Sequence, residues 1–253
     1  MNPRQIKIKH MLDITEEVFL RQLRTIFPEV SEMTIRRDLT LLEDLGYAIR
    51  THGGAVSVNR FKKHGKDEID YGIRQSENVD KKAIIAEKAS HLLIKERPVY
   101  LDAGSTIMAL AKIIKDDSGY TFVTSALNTA LKLSSSKNSI ILLGGRVSPF
   151  TLSTSGPEAI HMLKTVGVEM AILGASGFSP DKGFSVSSIH DARLKSLVIS
   201  KAEKVIVLMD TSKIGKDKDY PFCKLKEADI WITDQMPERE VLEKCKENNV
   251  LVI

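Results

Sequence analysis

Between residues 99 and 253 the chain repeats one pattern: a short apolar run, almost unbroken, and then a longer segment of helical periodicity. The runs occupy residues 99–101, 122–123, 140–143, 170–173, 205–209, 230–233 and 250–253. A strand with one wet face alternates apolar and polar residues, so runs without alternation are covered on both sides. Covered strands that alternate with helices pack as a parallel sheet between helical layers. Residues 71–253 are therefore expected to form one α/β domain. Its first helix, residues 81–93, should turn Ile84, Ile85, Ala89 and Leu92 inward.

In such sheets ligands bind beyond the carboxyl ends of the strands, so function is sought in the loops after the runs. After the first comes Asp102-Ala103-Gly104-Ser105-Thr106, leading into a helix at 107–114. Glycine lets a ligand approach the backbone, Ser105 and Thr106 add hydroxyls, and a helix start offers N–H groups with a partial positive charge. This is the chemistry of a phosphate cradle, although a lone Gly-Ser-Thr is as often a simple cap. The other loops supply Thr124-Ser125, Gly144-Gly145-Arg146, Gly174-Ala175-Ser176-Gly177 and Asp210-Thr211-Ser212-Lys213. Taken together they outline a polar pocket for a small anion.

The first sixty residues read differently. Residues 4–12 suit a helix with Ile8, Met11 and Leu12 inward, 18–20 a short strand, and 21–27 a second helix closed by Pro28. Ser31 can cap a third helix that runs to Gly46. At 100° per residue Ile35, Leu39 and Leu42 share one side of it, Met33, Arg37, Thr40 and Asp44 the other, with Thr34 and Arg36 flanking. Arg36-Arg37 alone describes an ordinary solvated face. The next segment changes that assignment: residues 47–56 form two short strands about Gly53-Gly54, with Arg50 and His52 near the tip. A helix that carries arginine beside such a wing suits the major groove of DNA. The organisation expected is thus 1–58, a charged linker at 59–70, and 71–253.

Composition narrows the alternatives. The net charge of +4 decides little, because residues 1–60 carry nine Lys/Arg against eight Asp/Glu, and any basic face must come from arrangement. No apolar run approaches the roughly 18 residues of a membrane span and no secretory leader follows Met1, which implies a cytoplasmic protein without a membrane partner. Cys223 and Cys245 read as two reduced thiols. The six histidines show no metal spacing, and neither a Walker loop nor Gly-x-Gly-x-x-Gly is present, so no metal or cofactor is expected.

The run Ser31-x-x-Thr34-Ile35-Arg36-Arg37-Asp38-Leu39, followed by Arg50-Thr51-His52-Gly53-Gly54-Ala55, resembles the N-terminal signature of the DeoR family of bacterial transcriptional regulators. The likeness continues in Asp102-x-Gly104-Ser105-Thr106, Leu143-Gly144-Gly145 and Asp210-x-Ser212-Lys213, with Ser125-Ala126 where the family commonly has Asn-Ser. The resemblance implies a winged helix-turn-helix joined to a larger Rossmann-like sensor domain similar to ribose-5-phosphate isomerase. It also implies double-stranded operator DNA, a phosphorylated sugar effector, a homo-oligomer and, most simply, repression of sugar-metabolism genes.

Under that resemblance Ser31, Met33, Thr34, Arg36, Arg37 and Thr40 face the operator while Arg50 and His52 touch its backbone. Gly104, Ser105 and Thr106 hold the phosphate, with Thr124, Ser125, Gly144 and Gly145 around it. Lys195 and Lys213 contact the anion or sugar oxygens, and Asp102 and Asp210 order the loops or bind hydroxyls. The rival class is an isomerase-like enzyme with an appended DNA-binding domain. Aldose-ketose isomerisation needs a carboxylate base and an acid, and the loop that carries them in the isomerase, Asp-Gly-Ala-Asp, corresponds to Gly174-Ala175-Ser176-Gly177. Both acids are gone, which implies binding without turnover.

Overall fold

The computed structural model describes residues 1–45, 47–51, 53–57, 71–115 and 119–253. They divide into two compact units, Met1–Val79 and Asp80–Ile253. The expected linker at 59–70, the helix-ending Gly46 and the wing residue His52 lie outside the described residues.

In the first unit α1 (Pro3–Thr15), β1 (Glu17–Phe19), α2 (Leu20–Ile26), α3 (Glu32–Asp44), β2 (Ala48–Thr51), β3 (Gly54–Ser57) and α4 (Tyr71–Ser76) come in order. Ser31 caps α3, its hydroxyl accepting from the Thr34 N–H at 3.2 Å. Ile8, Leu12, Leu23, Ile35, Leu39 and Leu42 form the core between the helices. Within it Asp38, only 4% exposed, accepts from Arg4 Nε at 2.5 Å and Gln5 Nε2 at 2.8 Å, which pins α1 to α3. The strands form an antiparallel sheet in the order β1-β3-β2. Gly54 is required where β3 meets β1, since a Cβ there would sit 1.9 Å from the Val18 carbonyl oxygen. The wing and the short strand expected at 18–20 thus form one sheet. That strand begins one residue earlier because Leu20 already opens α2.

The second unit contains α5 (Val79–Ser90), whose first residue is the last of the first unit, β4 (Pro98–Leu101), α6 (Ser105–Ile113), β5 (Thr121–Thr124), α7 (Leu127–Ser134), β6 (Ser139–Leu142), β7 (Arg146–Ser148), β8 (Ser153–Ser155), α8 (Pro157–Thr165) and β9 (Met170–Gly174). After these come β10 (Gly177–Ser179), β11 (Gly183–Val186), α9 (Ile189–Lys201), β12 (Lys204–Leu208), β13 (Tyr220–Cys223), β14 (Ile230–Ile232), α10 (Arg239–Glu247) and β15 (Leu251–Val252).

All the apolar runs become strands of one parallel sheet, in the order β15-β14-β12-β9-β4-β5-β6. Tyr100, Val123, Ala171, Leu173, Val205 and Val207 face one helical layer; Val99, Leu101, Phe122, Ile172, Ile206 and Leu208 face the other. Two covered faces explain the missing alternation in the inner strands; on the edge strands β6 and β15, Leu142 and Leu251 are exposed.

Ile84 departs from the expected inward set, being 45% exposed. The buried arc of α5 is centred on Ile85, Ala86 and Ala89, and Ile84 sits 100° back from Ile85, outside it. A smaller sheet, β10-β11-β13, was not legible in the chain. Its short strands are rich in Gly and Ser, and they are held by Phe178 and Phe184, which pack around Trp231 with centroids 4.9 and 5.3 Å from the indole.

Candidate DNA-binding face and ligand site

The apolar side of α3 is sealed in the first unit and its other side is open. Met33 is 60% exposed, Ser31 and Arg37 are exposed, and Thr34, Arg36 and Thr40 are half-buried. The two arginines differ in their surroundings. Arg36 donates from Nε and Nη2 to Glu32 Oε1 at 3.0 and 2.9 Å, and Arg24 reaches the other oxygen of Glu32. Arg37 makes no hydrogen bond or ion pair with a described residue and stands in solvent. The wing is fixed to α3: Glu43 accepts the Arg50 N–H at 2.8 Å, and Arg50 Nη1 donates to Thr40 Oγ1 at 2.9 Å. Arg50 is thereby carried beside the polar face of α3 with its side chain exposed.

In the second unit the strand order reverses direction at β4, which lies between β5 and β9. The crevice beyond the carboxyl ends of β4 and β9 is therefore the topological switch point, where open parallel sheets bind ligands. Asp102 and Gly104-Ser105-Thr106 come after β4, and Gly174 ends β9. Asp102, 3% exposed, accepts from the Gly174 N–H at 2.8 Å and from the Lys195 ammonium. Lys195, on α9, is itself 4% exposed; it also donates to the Gly174 carbonyl at 2.9 Å and lies 5.1 Å from the Phe222 ring centre. A surface helix usually leaves lysine solvated, and here it is sealed.

Lys213 arrives from the loop after β12, donating to the Ala175 carbonyl at 3.1 Å, 3.8 Å from Asp210. Asp210 is fully buried and accepts from the Ser212 N–H at 3.1 Å. Two ammonium groups thus meet consecutive carbonyls of the Gly174-Ala175 loop. Beside them α6 begins at Gly104, with no side chain capping its first turn. The Ser105 and Thr106 side chains make no hydrogen bond to a described residue, and a Cβ at Gly104 or Gly144 would meet nothing within 4 Å.

The remaining expected residues stand further along the strand ends. Ser125 shares a 3.2 Å hydrogen bond with Tyr100, whose phenol burial holds well above its ordinary pKa, aided by the charge of Asp102. Thr124 Oγ1 accepts from the Ala126 N–H at 3.0 Å, turned to its own loop. Gly144 and Gly145 are exposed beyond β6, two strands from β4. Across this end lies β8, where Thr154 bonds the carbonyls of Ser125 and Leu143 at 2.8 and 2.6 Å. A separate groove of about 490 Å³ lies between α8 and α9, lined by Ile160, His161, Lys164, His190 and Arg193.

Lys81 and Asp234 belong to this end of the sheet and were missed in the chain. Asp234 pairs with Lys81 at 3.0 Å and accepts from the Thr211 N–H at 2.8 Å. Burial alone would raise its carboxyl, but Thr211 and Lys81 outweigh that and hold it below the ordinary carboxylate value. A signal existed: β4, β12 and β14 each run into an aspartate, Asp102, Asp210 and Asp234, within two residues of the strand end. Among the described residues no group of His, Cys, Asp and Glu is arranged to hold a metal, and no helix is long and apolar enough to cross a membrane. Cys223 and Cys245 are unbridged and buried, which raises both thiol pKa values, that of Cys245 to about 11.

A helix-turn-helix unit with a wing, joined to a parallel α/β unit, is the architecture of a DNA-binding transcriptional regulator. Residues 4–61 match the DeoR-like helix-turn-helix domain and residues 77–235 the DeoR C terminal sensor domain, and the chain belongs to the DeoR family. It is 32% identical over 223 residues to the HTH-type transcriptional regulator GlpR of Haloferax volcanii, covering 88% of this chain and 86% of that protein. It is 31% identical over 248 residues to the HTH-type transcriptional repressor GlcR of Bacillus subtilis, covering 98% and 93%. Both relatives are named as transcriptional regulators, and the similarity spans most of each of them. Among solved structures, ribose 5 phosphate isomerase A from Neisseria gonorrhoeae is similar at 17% identity and a TM-score of 0.40, over 56% of this chain and 54% of that one.

Proposed function

We propose that this protein is a cytoplasmic repressor of sugar-metabolism genes whose hold on its operator is set by a phosphorylated sugar bound at the switch point of the second unit. The observation that carries this reading is the meeting of Lys195 and Lys213 at the Gly174-Ala175 loop, beside the uncapped start of α6. Lys213, 25% exposed at its side chain, and a helix N-terminus suit a phosphate, while Lys195, sealed against Asp102, holds the Gly174-Ala175 loop in place. Asp102 and Asp210, both buried, orient the lysines and order their loops. An effector that binds more tightly to the conformation that docks poorly on DNA lowers operator affinity by that differential. Operators read by such helices come as paired half-sites, so the working species is a homo-oligomer. A thermal-shift screen against pentose and hexose phosphates, repeated with operator titrations, tests the reading. Stabilisation by none of them refutes it.

On the DNA side Arg37 is the base reader, because among the described residues it has no partner to surrender. Arg37→Ala is expected to cost about 1–3 kcal/mol of specific binding; an unchanged operator affinity in a gel-shift titration removes it from the interface. Arg36 must first leave Glu32, but an exposed i,i+4 pair contributes only about 0.3–0.5 kcal/mol, so exchange for a phosphate costs little. Arg50, held beside the groove-facing helix by Thr40, is assigned to the DNA backbone. Arg50→Ala should weaken binding to all sequences and reduce the slope of log K against log salt by about one. An unaltered slope contradicts that assignment.

A further inference from the structure

Lys81 lies in the first turn of α5, two residues beyond Val79, where the first unit ends. Its ammonium meets Asp234 Oδ2 at 3.0 Å and lies 3.5 Å from Thr211 Oγ1. The Asp234 carboxylate holds the Thr211 N–H at 2.8 Å from its other oxygen, and Thr211 opens the short helical turn Thr211–Lys213. That turn ends in Lys213, which faces Ala175. A second strut runs in parallel: Lys88, two turns along α5, donates to the Thr233 carbonyl at 2.7 Å. The start of α5 is thus joined to the ligand-site turn through one carboxylate that is 5% exposed.

We propose that Lys81 and Asp234 are the positioning pair through which occupancy of the ligand site is transmitted to α5, and along the chain to the DNA-binding unit. The inference rests on the reading of the switch point as the effector site. An anion that draws Lys213 inward moves the turn Thr211–Lys213, because Thr211 is two residues from the lysine. Thr211 cannot move without breaking or carrying the Asp234 carboxylate, since a buried carboxylate does not give up a backbone donor unless another replaces it. Asp234 then carries Lys81, whose charge is the main partner of that carboxylate outside its own loops. Coupling between sites travels through such contiguous networks when both ends bias the same element. Here the element is α5, whose first turn adjoins the boundary between the units.

The test uses the full-length protein, an operator selected by the wild type from random duplexes, and a panel of pentose and hexose phosphates. The wild type should bind at least one of these compounds, seen by thermal shift, and its operator Kd should change by about fivefold or more. Lys81→Met and Asp234→Asn should keep the half-saturating concentration of that compound, while the change in operator Kd falls to within about twofold. Lys81→Arg, which preserves the ion pair, should respond like the wild type. A full response in Lys81→Met and Asp234→Asn overturns the assignment and leaves the effector site standing. Loss of ligand binding in both also overturns it, since the pair then belongs to the pocket. A wild type that binds no compound in the panel refutes the effector site itself. Should one variant fail to fold, the exchanged pair Lys81→Asp with Asp234→Lys supplies the second measurement: a restored response supports the pair, and an absent one in a folded protein overturns it.

Discussion

Replacing Lys195 with methionine is expected to destabilise the second unit by about 3–5 kcal/mol, the usual cost of removing one partner from a buried ion pair. Methionine fills nearly the same volume, so little of the loss comes from packing. What remains is the Asp102 carboxylate, 3% exposed, left with the Gly174 N–H at 2.8 Å as its donor among the described residues. The Gly174 carbonyl loses a donor as well. Urea unfolding followed by Trp231 fluorescence reports on this unit alone, because Trp231 is the chain's one tryptophan and is fully buried there. A second substitution, Asp102→Asn, in the same protein should recover part of the stability, since the stranded charge is then gone. An unchanged urea midpoint for Lys195→Met means that the ammonium is not a structural partner of Asp102.

Ser105→Asp is expected to abolish the response to phosphorylated sugar while operator binding without ligand persists. In the proposed site a carboxylate at that position would face the phosphate, and like charges about 4 Å apart near a protein surface repel by about 4 kcal/mol. That is close to a thousandfold loss of affinity. The helix dipole favours an acidic residue in the first turn, but Ser105 is 7% exposed, so desolvation of the new carboxylate offsets that gain and some thermal stability is lost. Lost ligand binding in a protein that is still folded and still binds its operator is therefore the expected pair of results. Undiminished stabilisation by a sugar phosphate places the phosphate elsewhere.

Much of the second unit was legible because the inner strands of its large sheet are covered on both faces. Each apolar run became a strand, displaced by no more than a residue or two. The polar face of α3 was legible for a similar reason: Ile35, Leu39 and Leu42 recur at helical spacing, which leaves Met33, Arg37 and Thr40 outside. Gly-Ser and hydroxyl-rich loops were legible as the loops that follow the strands, where the ligand site is proposed. The sheet β10-β11-β13 escaped because strands of three or four residues carry no readable period, and its support, Phe178 and Phe184 on Trp231, comes from distant parts of the chain. Asp38 escaped for the same kind of reason, as its partners Arg4 and Gln5 precede it by more than thirty residues.

By itself the sequence determined which segments become strands and helices, which face of α3 is apolar, and which loops carry hydroxyls and charges, because each depends on residues adjacent along the chain or one helical turn apart. Tertiary structure alone decided that β4 lies between β5 and β9, which places Asp102, Gly174 and Lys195 in one crevice. It also turned Lys195 from a solvated helix lysine into a buried counter-ion, and joined Lys81 to Thr211 through Asp234. Strand order and ion pairing are set by contacts between residues far apart in the chain, and local periodicity carries no record of which distant partner each group will meet.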